Sequence, residues 1–198
     1  MTASLDVEKL RGRVLTGHGL ALEPLAARHH AGLRAAAGED TFLYFVTPDF
    51  DIWLDRCLAD RTAGTKLSYA IRRLSDGALV GSSSFCELAP ADRRLEIGST
   101  WYAAQARGTA VNPAAKFLML QAAFAAGAHS VYLRTCSRNQ RSRAAILKLG
   151  AKEDGIQRAA VWMPPSPLRE GYFRDSVFYS ILEAEWPSVR AGLEARLP

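Results

Sequence analysis

Between residues 66 and 126 the chain sets three short extended runs in succession and then, across one glycine-bearing loop, its most strongly patterned helix. The runs are Lys66–Arg73, Leu79–Cys86 and Arg94–Tyr102. Ser75-Asp76-Gly77 and Ala89-Pro90-Ala91-Asp92 between them are turn formers, so the three read as an antiparallel meander. The helix, Asn112–Ala126, carries Ala115, Leu118, Met119, Ala122 and Ala123 as an apolar stripe, with Asn112 as its cap, Pro113 as its first helical residue and Gly127 as its stop. A meander that feeds a helix in this way admits only a mixed fold.

The flanking segments extend the pattern. Val14–Leu22 reads as a strand interrupted by Gly17 and Gly19, followed by a helix from Pro24 to about Ala37 and a second helix capped by Asp49 or Asp51 and running through Ala63. After Gly127 come a strand Ser130–Thr135, a short helix Ser142–Leu149 ended by Gly150, an extended run Ala151–Arg158, a last strand Ser176–Leu182 and a terminal helix after Trp186-Pro187. The 198 residues, 48% of them apolar, suffice for one core. We expect one domain over residues 12–198 preceded by an extension, 1–11. The Pro164-Pro165-Ser166-Pro167 stretch reads as a surface loop within that domain.

Composition narrows the setting. No segment reaches the roughly 20 apolar residues of a membrane span, and Met1–Leu10 lacks the apolar run of a secretory signal. Cys57, Cys86 and Cys136 lack metal-ligand spacing and read as reduced thiols, and none of His18, His29, His30 and His129 forms a metal pair. We therefore expect a cytoplasmic protein without a metal or a membrane partner. The net charge of +5 is partly local, because Arg134, Arg138, Arg141, Arg143 and Lys148 follow one another without an intervening acid. Such a cluster suits phosphates or forms a solvated basic face. The chain has no nucleic-acid recognition motif and no basic stripe with interleaved aromatics, so nucleic acid is not an expected partner.

The loop Gln105-Ala106-Arg107-Gly108-Thr109-Ala110 joins the last meander strand to the helix. A strand, a loop of small residues and a helix start together offer several free N–H groups and the positive end of a helix dipole to a phosphate. Gly108 permits close backbone approach, Thr109 and Ala110 leave room, and Arg107 can add a charge-assisted contact. A plain connecting turn has the same ingredients. The three-glycine spacing of a dinucleotide fingerprint and the Gly-Lys-Ser or Gly-Lys-Thr of a nucleotide P-loop are both missing.

Gln105, Gly108 and Ala110 resemble the pyrophosphate loop of the GNAT superfamily of N-acetyltransferases. So does Asn139 followed eleven residues later by Gly150. The similarity is closest to the Rim-type branch of ribosomal-protein N-terminal acetyltransferases, through Leu22-Glu23-Pro24-Leu25, Glu96-Ile97-Gly98, the segment Asn139–Ser142, Gly155 with Arg158, and Arg174-Asp175-Ser176. It covers nearly everything after Leu20. The resemblance implies an α+β fold, with a twisted, mostly antiparallel sheet of six to seven strands, a V-shaped splay between the fourth and fifth strands, and helices on both faces. It also implies acetyl-CoA as cosubstrate and a primary amine, on a protein N-terminus or a small molecule, as acceptor.

By the same resemblance acetyl-CoA enters between Arg94–Tyr102 and Ser130–Thr135. Backbone groups of Trp101, Tyr102 and Ala103 pair with the pantetheine and present an N–H to the thioester oxygen. Glu96 is the candidate general base, acting through a water, or else a cross-strand partner for an arginine. Many members protonate the departing thiolate with a tyrosine seven residues after the Asn; here that position is Ile146, and Ser142 takes its place as the candidate acid, or as the helix cap. Asn139 is assigned to pantetheine or acceptor, and Arg143 and Lys148, with Arg138 or Arg141, to the adenosine 3′-phosphate. Phe42, Tyr44, Phe45, Phe50 and Trp162 read mainly as packing aromatics, and Pro164–Phe173 as a long loop able to reshape the acceptor entrance. The missing tyrosine also admits a non-catalytic acyl-CoA sensor, and the basic cluster a nucleic-acid-binding module. The oligomeric state stays open, a homodimer included.

Overall fold

The computed structural model describes residues 4–197; Met1, Thr2, Ala3 and Pro198, the ends of the two segments expected from sequence, lie outside them. One eight-stranded sheet organises the chain. Its strands are β1 (Leu15–Gly17), β2 (Leu20–Pro24), β3 (Leu67–Arg73), β4 (Leu79–Ala89), β5 (Arg94–Tyr102), β6 (Ser130–Cys136), β7 (Lys152–Met163) and β8 (Tyr172–Leu182). They lie in the order β1-β2-β3-β4-β5-β6-β8-β7, with β5 and β6 parallel and every other pair antiparallel. The helices are α1 (His30–Ala36), α2 (Phe50–Ala63), α3 (Val111–Ala125), α4 (Gln140–Leu149) and α5 (Trp186–Glu194).

The expected meander is β3-β4-β5, and β5 has the expected limits. The count of eight strands exceeds the expected six to seven because the first run is a hairpin: His18 and Gly19 both take positive φ, 47° and 73°, which turns β1 tightly into β2. Pro24 ends β2 and does not start a helix; α1 begins only at His30, after a 3-10 turn over Ala27–His29. The splay consequently lies between the fifth and sixth strands. At the other end β7 and β8 run five and four residues past the expected limits, so the loop between them is cut to residues 164–171. Asp49 caps α2, its carboxylate accepting from Ile52 N–H at 2.9 Å.

Two apolar layers hold the sheet. On one face Leu22, Tyr69, Ile71, Leu95, Ile97, Val131, Leu133, Val177 and Tyr179 pack with α3, with Ile146 and Leu149 of α4 and with Leu193 of α5. Leu5 and Leu10, from the segment expected as an extension, are buried in this same core, and Tyr69 Oη donates to the Leu10 carbonyl at 2.8 Å. On the other face Leu33 of α1 and Phe50, Trp53, Leu54 and Cys57 of α2 gather with Phe42, Ala70 and Trp101. That second layer covers the sheet from β2 to β5 and leaves the β6–β8 half of the face bare of helices, because the chain runs its remaining helices along the first face. Helix α3 is buried nearly all round: Val111, residues 114–120 and Ala123 are all buried, more than the single stripe its pattern suggests.

Candidate active site

Strands β5 and β6 pair only through Arg94↔Ser130, Leu95↔Val131 and Glu96↔Tyr132. Beyond Glu96 they part, so Ile97–Tyr102 on one side and Leu133–Cys136 on the other present backbone edges to a cleft of about 580 Å³. A bulge drives the parting. Pairing with β4 steps from Ser84↔Gly98 to Ser82↔Trp101, so that two residues of β5, Ser99 and Thr100, stand opposite one of β4, Ser83, and Ser99 holds φ at +49°. A bulge of this kind bends and twists the strand that carries it. The three serines Ser82, Ser83 and Ser84 opposite it are fully buried and hydrogen-bonded, to Tyr69 O, Thr100 Oγ1 and Ser68 Oγ.

The loop beyond β5 folds as a 3-10 turn, Ala104–Ala106, then Gly108 at φ +75°, then α3. Helix α3 begins at Val111, one residue before the expected Asn112; Thr109 Oγ1 accepts the Val111 N–H at 3.3 Å and donates to Ala106 O at 2.8 Å. Gly108, Thr109 and Ala110 are exposed, and among the described residues no hydrogen bond engages their three N–H groups. Nothing lies within 4 Å of where a Gly108 Cβ would stand. Arg107, expected to face a phosphate, is instead clamped onto Asp40 by two bonds of 2.6 and 2.8 Å and onto the Tyr102 carbonyl at 3.0 Å. It ties the segment between α1 and α2 to the loop. Gln105 is exposed and outside the cleft.

Of the three backbone positions assigned to pantetheine, Ala103 is engaged, its N–H donating to Val80 O at 2.9 Å. The Tyr102 carbonyl points away from β4 towards Arg107, and in an extended strand the N–H of the same residue points the same way. Tyr102 therefore presents its N–H to the splay. Its side chain and that of Trp101 leave by opposite faces, into the first and second apolar layers respectively, and neither the Tyr102 hydroxyl nor the Trp101 indole N–H has a hydrogen-bond partner among the described residues.

Glu96 is buried at the point where the strands separate. Arg134 Nε lies 3.2 Å from its Oε2, an ion-pair distance, but the N–H is not aligned on that oxygen, which has no hydrogen bond. Burial lifts the Glu96 carboxyl above the usual carboxylate range, with Arg134 opposing and Glu87 reinforcing the shift. Glu96 thus meets an arginine of the neighbouring strand, and it also lines the cleft.

At the head of α4 the capping falls to Asn139, whose Oδ1 accepts from Ser142 N–H at 3.1 Å. Ser142 is not the cap. It lines the cleft in the first turn, with no hydrogen bond to its hydroxyl among the described residues. Of the expected cofactor residues, Trp101, Tyr102, Arg107, Gly108, Asn139 and Ser142 line the cleft, whereas Ala103, Gln105, Thr109, Ala110, Arg143 and Lys148 do not. Arg143 is turned away to Tyr179 Oη at 3.1 Å and Glu153 at 3.2 Å, and Lys148 is exposed. Arg141, an alternative in the basic cluster, does line it.

Lys116 is a cleft residue that the sequence pattern did not single out. It is 5% exposed on α3, and its Nζ donates to Thr100 Oγ1 at 2.7 Å and Ser83 Oγ at 3.2 Å, so it braces the bulge from beneath. Burial draws its pKa down to about 7. The only sequence signal was a lysine inside an otherwise apolar helix. On the opposite face Lys66 reaches Ser99 Oγ at 3.1 Å and Cys57 Sγ at 3.4 Å. Tyr44 and Phe45 line the cleft, while Phe42 and Phe50 are core residues and Trp162 is half exposed against Phe173. Arg169 donates to the carbonyls of Leu43, Phe45 and Pro164, which fastens the β7–β8 loop over the segment between α1 and α2.

Comparison with known proteins gives a consistent result. Residues 19–152 match the acetyltransferase (GNAT) domain family. A GCN5-related N-acetyltransferase from Brucella melitensis is 26% identical, superposes with a TM-score of 0.85, and is covered over 98% of this chain and 88% of its own. A protein from T. thermophilus assigned as an acetyltransferase is 30% identical with a TM-score of 0.77, over 94% of this chain and 97% of its own. Mycobacterium smegmatis RimJ, solved with CoA-disulfide, is 23% identical with a TM-score of 0.73 over 93% and 91%, and shares the fold. None of the curated proteins matches the chain in sequence.

Proposed function

The chain belongs to the GNAT acetyltransferases, enzymes dependent on acetyl-CoA, and from that premise we propose that it moves the acetyl group to a primary amine by direct attack while both substrates are bound. The observation that carries the proposal is the splay itself. Two strands part at a buried carboxylate, next to three consecutive free N–H groups at the head of a helix. Those N–H groups, at Gly108, Thr109 and Ala110, are suited to a pyrophosphate, and Arg141 supplies a nearby cation. Acetyl-CoA, when bound, supplies an acyl group already activated as a thioester. What remains for the protein is to orient it, accept a proton from the amine and return one to the sulfur.

The Tyr102 N–H is the donor we assign to the thioester oxygen. Glu96 takes the proton of the incoming amine, through a water; its raised pKa makes it a stronger base than an ordinary glutamate. The Ser142 hydroxyl, unengaged among the described residues, donates to the departing sulfur, and Asn139 holds the first turn of α4 so that this hydroxyl faces the cleft. Arg107 acts by fixing the loop through Asp40, not by meeting a phosphate.

An acetylation assay over a panel of amines, reading release of the CoA thiol, tests the proposal. Ser142→Ala is expected to lower kcat by about 100- to 10,000-fold with little change in acetyl-CoA affinity, the range of one general-acid contribution. Glu96→Gln is expected to lower kcat and to abolish the acid limb that the carboxyl sets, leaving only the limb of the amine. Wild-type pH–rate profiles in both variants would remove the two residues from the chemistry; tight acetyl-CoA binding with no transfer to any amine would overturn the transferase assignment.

A further inference from the structure

Resting on that reading, the charges around the acceptor half of the cleft indicate what kind of amine enters it. By strand alternation Arg174, Ser176 and Phe178 project from one face of β8, opposite to the core residues Val177 and Tyr179. Phe178 is paired with Arg134 of β6, and Tyr132, two residues before it, is paired with Glu96. Arg174, Arg134 and Glu96 therefore share the face that α1 and α2 leave uncovered beyond β5, away from α3 and its phosphate-facing loop.

On that face the two arginines differ. Arg134 lies between two carboxylates, 3.1 Å from Glu87 and 3.2 Å from Glu96. Arg174 meets none among the described residues: its Nε donates to Ser176 Oγ at 3.2 Å and its Nη1 to Tyr44 O at 3.4 Å. Three of its five N–H bonds remain for another partner. It is half-buried in the cleft wall; burial, the largest effect, and the like charge of Arg134 work against its protonated form, while Cys136, Tyr172 and Glu96 favour it. Across the cleft the hydrogen-bond partners of Lys66 among the described residues are a hydroxyl and a thiol. Of the charged residues lining the whole cleft seven are basic and three acidic, and two of the acids, Asp40 and Glu96, already face Arg107 and Arg134. A half-buried guanidinium held beside a second one, with Glu96 near but no carboxylate in ion-pair contact among the described residues, has donors left for an anion brought to it.

We propose that Arg174, assisted by Lys66, is a binding site for a carboxylate carried by the acceptor, so that the protein acetylates amines that bear a carboxylate on the same molecule. The planar fork of Arg174, held at Nε and Nη1, leaves its Nη2 edge for one or both carboxylate oxygens. The carboxylate has two sources, the α-carboxylate of an amino acid or the acidic side chain of a peptide beginning with a free amine.

Matched pairs of acceptors test this: amino acids against their amides, and peptides with Asp or Glu at the second position against the same peptides with Asn or Gln. In one arm or the other the carboxylate member is expected to exceed its amide by about 10-fold or more in kcat/KM, chiefly through KM, and the arm that shows it identifies the source. Arg174→Met should bring that ratio to about one and Arg174→Lys should retain part of it, with acetyl-CoA binding as the check that the Met variant is folded. Transfer to carboxylates and amides alike in both arms overturns this inference alone, as does a preference that survives Arg174→Met. No transfer to any member overturns the transferase reading and this inference with it.

Discussion

Lys116→Met is expected to make the protein more stable at neutral pH, by an amount that shrinks as pH rises. Lys116 is 5% exposed inside the first apolar layer, with two hydroxyls and no carboxylate as hydrogen-bond partners. Its pKa falls from 10.5 in the unfolded chain to about 7 in the fold. Between those values the unfolded state carries a proton that the folded state has released, so stability rises with pH across the interval; it is complete above 10.5 and is lost as pH falls through 7. At 1.36 kcal/mol per unit the full interval corresponds to about 5 kcal/mol, and the part between pH 6.5 and 9 to about 2.5 kcal/mol. Methionine has nearly the same reach and no charge, and Ser83 and Thr100 keep one another as partners at 2.7 Å. The assay is urea unfolding of both proteins without acetyl-CoA at several values of pH. The advantage of the methionine variant should fall by about 2.5 kcal/mol from pH 6.5 to 9. An advantage that is flat or grows with pH would show that Lys116 is not buried as a free amine near neutrality.

Three other expectations concern separate parts of the molecule. Arg72 first, then His29, hold the Glu23 carboxylate down at about 2. This folded pKa lies below the unfolded one of 4.5, so the stabilisation is present above 4.5 and lost as pH falls through 2; the wild type should lose about 3 kcal/mol more than Glu23→Gln between pH 5 and 2 in urea titrations. Gly108→Asp should abolish the thermal shift given by acetyl-CoA, because it sets a carboxylate beside the three free N–H groups, while Gly108→Ala, at the same φ of +75°, should cost about 1 kcal/mol of stability and less of the affinity. Retained affinity in the Asp variant would remove the loop from the phosphate site. Asp40→Asn should raise the KM for acetyl-CoA by loosening Arg107 from the loop, with kcat changed less; an unchanged KM would leave the clamp without a role in binding.

The fold was readable where local chemistry and tertiary pairing agree. Asp49 announces α2, the turn formers announce β3-β4-β5, and Gly150 closes α4 in the left-handed conformation, at φ +102°. It was misread where one residue serves two elements. Pro24 is a good first helical residue, yet it completes β2 by pairing with Tyr69. The prolines at 164 and 165 suggested a long loop, but a strand can continue to the residue before a proline; β7 therefore runs to Met163. Leu5 and Leu10 lie in a segment too short to show a period, and only their burial identifies them as core.

In the site the backbone was legible and the side chains were less so, and the reason is the partner each side chain finds. Gly108 and the residues after it needed only their own conformation to become a row of free N–H groups, and a glycine loop before a helix states that in one dimension. Arg107 and Arg143 sit in equally suggestive places, but Asp40, 67 residues away in the chain, claims the first, and Tyr179 and Glu153 claim the second. Charge counted along a sequence cannot separate a cation that is already answered from one that is not. Arg174 is the converse case. It stands next to Asp175 in the chain, where it looks neutralised, yet strand alternation sends the two side chains to opposite faces: Asp175 accepts from Ala159 N–H at 2.8 Å, while Arg174 is left in the cleft with a hydroxyl and a carbonyl. The adjacency that hides the charge in sequence is what frees it in the fold, and a cation freed in this way beside Glu96 is where selectivity for the acceptor can arise without disturbing the groups that carry out the transfer.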